Sequence, residues 1–333
     1  MCGNEGMHAI GVDIGATNIR VALADDKGRI LVKKHERTIK RGSGTDLTAQ
    51  VIRMIKEVLS ITKTDLEDVK GIGIGTIGPL DLRRGIIVKP ANLPFDEVPL
   101  KEPLEKVFEK PVHIFNDCVA AVIGERLFGV GRDYKNLVYI TISTGIGGGV
   151  FVDGHLLIGK DGNAHEIGHI VVDIEGKLVC GCGKRGHWEA YASGSGIPKY
   201  ARLILREVPR NDLEKSLLYK LVNGDLEKLT AKHVYDAAKR GDDIALSIVN
   251  EVGRINAIGL ANVINVYDPS LVTLGGSVVL KNVELVLKPI RDCVEDYVIN
   301  RLPRIEVTSL GDDIVLYGAV GAVIENIMAK PED

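Results

Sequence analysis

LVYITISTGIGGGVFV, residues 137–152, is the stretch whose reading decides the fold. Leu137 to Ser143 is an apolar run of the buried-strand type, residues 143–149 are hydroxyls and glycines apart from Ile146, and a second strand resumes over Val150 to Val152. The same pattern opens the chain. His8 to Ile14 is an apolar strand running into DIGATN at 13–18, and Arg20 to Asp26 and Arg29 to Lys34 read as two further strands joined by Asp-Lys-Gly, a turn signal. Strand, glycine- and hydroxyl-bearing turn, strand, twice over, predicts two related α/β lobes. Backbone amides in each turn can wrap a phosphate, so the pair points to one nucleotide faced by both. Alone, the Asp-x-Gly-x-Thr pattern is weak, and an ordinary hairpin turn with an acidic residue reads as well.

Between the two turns, Leu47, Val51, Ile55 and Val58 have the spacing of an amphipathic helix over 46–60, capped by Thr45 or Asp46. The strand Gly71 to Gly75 leads into GIGTIG at 73–78. That matches the dinucleotide fingerprint letter for letter, but Pro79 follows and no helix begins, so there is no helix N-terminus to hold a pyrophosphate. The second match, 181–186, falls in a cysteine cluster and means as little. Residues 90–94 form a rigid loop offering Asn92, as turn-former or ligand contact, and PFDEVPLKEP after it reads as loop or helix entry. The strand Pro111 to Phe115 then delivers Asn116 and Asp117 at its carboxyl end, where a helix with Val119, Val122, Ile123 and Leu127 starts. Ligands of open α/β sheets bind outside such strand ends; the bland reading of Asp117 is a helix cap or first-turn acid.

Beyond a hairpin at Asp153-Gly154, the densest chemistry lies at 162–196. Cys180 and Cys182 are one glycine apart, His187 follows five residues later and His169 precedes by eleven, which makes four candidate tetrahedral zinc ligands. Glu166 and Glu189 are threaded among them without being needed for the ion's charge, so they are read as gripping something polar. Helical patterns follow over 196–208, 212–222, 230–240 and 243–266, the last capped by Asp242 or Asp243. A strand over 270–274 ends in Gly275-Gly276-Ser277, a turn suited to close approach by a nucleoside. Residues 283–299 read as helix despite Pro289, 305–308 as strand, and 315–328 as a helix of small residues.

Bulk properties bound the rest. A chain of 333 residues exceeds what one core usually holds. Its formal charge of −3 offers no general attraction to nucleic acid or anionic membranes, and neither is an expected partner. No uninterrupted apolar run approaches the roughly 20 residues of a bilayer span, and the opening residues lack the pattern of a signal peptide, so a cytoplasmic location is expected. Five cysteines do not make a disulfide framework; Cys2, Cys118 and Cys293 are expected as unbridged thiols.

Taken together, DIGATN at 13–18, NDCVAA at 116–121, ISTGIGGG at 142–149, HEIGH at 165–169, CGCGKRGHWE at 180–189 and LGGS at 274–277 resemble the ROK family of sugar kinases and repressors. The resemblance covers nearly the whole chain. It implies the actin-like (ribonuclease H-like) α/β sugar-kinase fold of two lobes with a central cleft, the smaller lobe at 1–117 plus 313–333 and the larger at 118–312. Only about seven residues precede the first strand, too few for the DNA-binding domain of the repressor branch. The resemblance makes Asp117 the catalytic base for a sugar hydroxyl attacking ATP. It places Asn92, Asn116, Glu166, His169 and Glu189 on the sugar, and ATP against Asp13, Gly15, Ala16, Thr17, Asn18, Thr144 and Gly145, with Gly275 and Gly276 near the nucleoside. Mg²⁺ would be held largely by phosphates and water with Asp13 as outer ligand, and a structural Zn²⁺ by His169, Cys180, Cys182 and His187. A homo-oligomer, a dimer or dimer of dimers, is implied as well. Two departures stand out. His187 occupies the place of a usual third cysteine, and His165, where a small residue is common, would either touch the sugar's surroundings or face solvent. The expected activity is phosphorylation of a hexose, foremost glucose at its 6-hydroxyl; the alternatives are an N-acetylglucosamine or N-acetylmannosamine kinase and a non-catalytic sugar sensor.

Overall fold

The computed structural model describes residues 7–90 and 92–329; Cys2 lies outside them. Strands β1 (His8–Ile14) and β2 (Asn18–Ala24) are buried nearly throughout, whereas β3 (Ile30–Arg37) alternates half-buried with exposed residues, as an edge strand with one wet face does. Helix α1 (Gly44–Thr62) buries Leu47, Val51, Met54, Ile55 and Val58 at three- and four-residue spacing. Its N-cap is Ser43, not Thr45 or Asp46, because the Asp46 carboxylate reaches back to accept the Ser43 amide at 2.7 Å.

Strand β4 (Val69–Thr76) pairs parallel with β1 and is followed by β5 (Leu80–Asp81), so the 73–78 glycines lead into no helix. Strands β5, β6 (Ile86–Val88) and β7 (Glu97–Pro99) form a small antiparallel sheet. The segment after Pro94 therefore holds a strand where loop was expected. It lies at the edge of its sheet with Pro99 at its end, the positions in which a strand tolerates proline. Helix α2 (Lys101–Phe108) begins inside the stretch read as loop or helix entry, and strand β8 (Val112–Asn116) and helix α3 (Asp117–Phe128) follow as anticipated.

The second sheet starts with β9 (Leu137–Ile142), β10 (Ile146–Val152) and β11 (His155–Leu156). Strand β10 begins earlier than read, absorbing glycines 147–149. After it come α4 (Glu189–Ala192), α5 (Ile197–Leu205), α6 (Arg210–Leu213), α7 (Leu217–Leu221), α8 (Ala231–Lys239) and α9 (Asp243–Tyr267). The single helix expected over 212–222 is two, because Ser216 leaves helical geometry to cap α7, accepting the Leu218 amide at 3.1 Å and donating to Asp242 at 2.8 Å. By length and composition α9 could cross a membrane, yet 61% of its apolar window is buried inside the protein. Strand β12 (Leu271–Gly275), α10 (Ser277–Lys281), α11 (Val283–Cys293, with Pro289 inside), β13 (Arg304–Val307) and α12 (Ile314–Ile324) complete the chain.

The two sheets have strand orders β3-β2-β1-β4-β8 and β11-β10-β9-β12-β13. These are the same order of connection, so the repetition visible in the two glycine turns extends to topology. The chain divides into two compact units, one of residues 1–139, 149–165 and 308–333, the other of residues 140–148 and 166–307. In the first unit, helix α12 lies so close to the sheet and to α3 that side chains are excluded. A Cβ on Gly73 would stand 1.9 Å from the Ala319 carbonyl oxygen, and one on Gly318 1.6 Å from that of Ala120.

Candidate active site and metal centre

In the first unit, Asp13 is the penultimate residue of β1, on the side-chain face that carries Gly11, and it is 8% exposed. The hairpin register sets Arg20 opposite, and its Nη1 donates to Asp13 Oδ2 at 2.9 Å and to the Asp312 carbonyl at 2.9 Å. Burial pushes the Asp13 carboxyl up to about 6; Arg20 opposes the rise, and the Asp117 charge adds to it. Asn116 and Asp117 close β8 and open α3, half-buried. The Cys118 amide donates to Asn116 Oδ1 at 2.9 Å and to Asp117 Oδ1 at 2.8 Å. Asn116 is thus the N-cap, and Asp117 is the acid of the helix's first turn.

Residues 15–17 form the β1–β2 turn, closed by the Gly15 amide donating to the Asn18 carbonyl at 2.9 Å. Thr38, which the sequence reading passed over, clamps it from behind: its hydroxyl donates to the Gly15 carbonyl at 2.7 Å, and its amide donates to the Thr17 carbonyl at 2.9 Å. Gly15, Ala16 and Asn18 are half-buried, and Thr17 is exposed. Asn92 sits on an exposed turn between buried Leu93 and the undescribed Ala91. His165 does not face solvent. It is 2% exposed, with Nε2 3.1 Å from the Gly162 carbonyl oxygen.

In the second unit, the 143–146 turn and α4 are tied together. The Ile146 amide donates to Glu189 Oε2 at 2.9 Å, and a Cβ on Gly145 would stand 2.4 Å from that oxygen. Ser195 donates through its hydroxyl to the Thr144 carbonyl at 2.8 Å, leaving the Thr144 side chain exposed. Gly276, at φ +86°, lies beside the end of β9, where a Cβ would come within 2.5 Å of the Ile142 carbonyl oxygen. Only a residue without a side chain fits there.

The four ligand candidates of the same unit converge. His169 Nδ1, His187 Nδ1, Cys180 Sγ and Cys182 Sγ all lie within 4.8 Å of one another. The Nδ1 atoms of the two histidines are 3.2 Å apart, Cys182 Sγ is 3.3 Å from His187 Nδ1, and Cys180 Sγ is 3.8 Å from His169 Nδ1. A tetrahedral ion with bonds of about 2.0–2.3 Å sets its ligand atoms about 3.3–3.8 Å apart, so the donor set fits one metal ion. Burial, and after it the neighbouring His169, holds the His187 imidazole below its usual range, in the neutral form a metal takes. The other nitrogen of His169, Nε2, is 3.5 Å from Glu166 Oε2. The chain turns between Cys180 and Lys184, the Gly183 amide donating to the Cys180 carbonyl at 2.9 Å, and Val171 pairs with His187 behind it.

Two buried anchors of this segment escaped sequence reading because both partners are remote. Trp188 Nε1 donates to Asn256 Oδ1 on α9 at 2.8 Å, and the Tyr191 hydroxyl donates to Asp173, whose carboxylate in turn accepts the Glu175 and Lys177 amides. A buried asparagine in an apolar helix is the signal that a partner exists, without saying which.

The ROK family model matches residues 9–325. The chain is 40% identical to a glucokinase of Aeropyrum pernix, over 97% of this chain and 98% of that one, and 36% identical to a glucokinase of Thermotoga maritima, over 96% and 98%. It is also similar in structure to a ROK family glucokinase of Streptomyces griseus in complex with glucose and AMPPNP, with TM-score 0.75, 33% identity, and coverage of 94% of this chain and 98% of that one.

Proposed function

The chain belongs to the ROK family, with its actin-like sugar-kinase fold, and from that premise we propose that it transfers the γ-phosphoryl group of ATP to the 6-hydroxyl of glucose. The observation that carries the reading is Asp117: a half-buried carboxylate at the carboxyl end of β8, opening α3 beside its cap Asn116. A base there takes the proton of the attacking hydroxyl. The demand on it is modest, because phosphoryl transfer has a loose transition state in which positioning and charge stabilisation carry most of the acceleration.

Asn116, Asn92, Glu166, His169 and Glu189 are proposed to hold the sugar. Carboxylates suit this task, since each accepts from two adjacent hydroxyls and rejects analogues that leave it unpaired. The amides of 15–18 and 144–145 would take the phosphates, and Gly275 and Gly276 would lie against the nucleoside. Mg²⁺ entering with ATP would neutralise phosphate charge, with Asp13 as the chain's carboxylate for it. Zn²⁺ is the ion we assign to the Cys2His2 centre, as a structural brace. ATP as donor and reduced thiols at that centre both suit the cytoplasm, and a dimer is the expected assembly.

An ADP-release assay across hexoses and N-acetylhexosamines tests the reading. Turnover should be greatest with glucose; silence across the panel with ATP and Mg²⁺ present would refute it.

A further inference from the structure

His187, Trp188 and Glu189 are consecutive: a ligand of the metal centre, the chain's one tryptophan, and a carboxylate proposed for sugar binding. Trp188 is 1% exposed and Asn256 2% exposed. Asn256 stands in the middle of α9 among apolar residues, where an amide lowers stability unless it is bonded. Its Oδ1 receives the indole N–H at 2.8 Å. One turn on, at Gly259, a Cβ would lie 2.2 Å from Trp188 Cδ2 and 2.4 Å from Cε2, so the indole lies flat on bare backbone. Asn256 and Gly259, spaced i and i+3, thus form a slot on one face of α9 shaped for this ring in this orientation.

We propose that Asn256 and Gly259 are positioning residues for glucose: the slot fixes the Trp188 backbone, and through it sets Glu189 on one side and His187 on the other. The inference rests on the reading of Glu189 as a sugar ligand given above. The Trp188 amide donates to the Ile170 carbonyl at 2.9 Å, which ties the same residue to the segment leaving His169. A tilt of the indole therefore moves the 166–169 and 187–189 segments together. Glu189 Oε2 accepts the Ile146 amide at 2.9 Å and Oε1 lies 3.6 Å from Cys180 Sγ, so where the 188–189 backbone sits decides whether the carboxylate keeps both contacts and its aim. Small displacements of a positioning group have large effects on a bound substrate.

The test uses the full-length protein, with two variants that each remove one half of the bond. Asn256→Leu keeps volume and loses the acceptor, whereas Trp188→Phe loses the N–H donor. Glucose and AMPPNP affinities are measured by calorimetry, metal content by elemental analysis, and folding by thermal melting. Because Trp188 is the sole tryptophan, its fluorescence emission in Asn256→Leu reports directly whether the hydrogen bond has gone.

We expect glucose affinity to fall about tenfold in each variant, AMPPNP affinity to stay within about twofold, and the double variant to lose no more than the worse single one. Equal loss of glucose and AMPPNP affinity, or unchanged glucose affinity in a folded variant with shifted emission, overturns the proposal. If Asn256→Leu does not fold, Trp188→Phe decides by the same ratio. Wild-type turnover of glucose reports separately on the proposed activity, so the two readings fail independently.

Discussion

Nε2 of the His169 ring lies 3.5 Å from a carboxylate oxygen of Glu166, while Nδ1 of the same ring points into the Cys2His2 centre, 3.2 Å from His187. A metal ion held at Nδ1 fixes the ring plane and the tautomer, and with them what Glu166 meets. Stripping the metal should therefore weaken glucose binding by about tenfold at temperatures where the chain is still folded. Calorimetric titration before and after chelation, alongside a melting curve, checks this. Unchanged glucose affinity in the stripped protein would show that the ring is held by the protein alone. The native protein should contain about one ion per chain.

Asp117→Asn keeps the hydrogen-bond acceptor for the Cys118 amide and removes the proposed base. Turnover is expected to fall by about 10²–10⁴-fold with glucose affinity nearly preserved. Single-turnover kinetics with binding measured separately would resolve the two, and near-normal turnover would place the base elsewhere.

The Asp13 carboxyl, pushed up to about 6 chiefly by burial, makes a prediction about pH. Its ordinary value of 3.8 governs the unfolded chain. Between the two values the folded chain holds a proton that the unfolded chain has released, so this group makes stability fall as pH rises from about 4 to about 6, and its effect is constant above. Urea unfolding at a series of pH values should show a shallower dependence over that window in Asp13→Asn. An unchanged slope would mean that the carboxyl is ionised throughout.

Gly318→Ala drives a methyl group into the Ala120 carbonyl, 1.6 Å from its oxygen, at the contact of α12 with α3. Because the obstacle is backbone, the expected loss is about 3 kcal/mol, at the upper end for overpacking. Thermal melting is the measurement. A variant as stable as wild type would mean that the two helices can separate without consequence.

Local features were legible in the sequence, and pairings were not. The two turns at 13–18 and 143–149, the strand end bearing Asn116 and Asp117, and the cluster of His169, Cys180, Cys182 and His187 declare themselves through glycine, hydroxyl and cysteine–histidine spacing, which are properties of short stretches. Arg20 opposite Asp13 depends on hairpin register, Thr38 on the turn it closes, and Asn256 on a tryptophan 68 residues away. None of these has a local signature. The strand at Glu97–Pro99 was hidden by prolines that an edge position permits. The split of 212–222 turned on a serine that prefers capping to helix interior.

The place of α12 bears on how the protein is made. Strands β1 to β4 leave the ribosome early, but the glycine-lined face they present is covered by residues 314–324, which are synthesised more than two hundred residues later. The other compact unit, residues 140–148 and 166–307, is complete before that helix appears. The half that begins the chain thus cannot complete its packing until its last helix is made, and until then the glycine-lined face of its sheet lacks its cover.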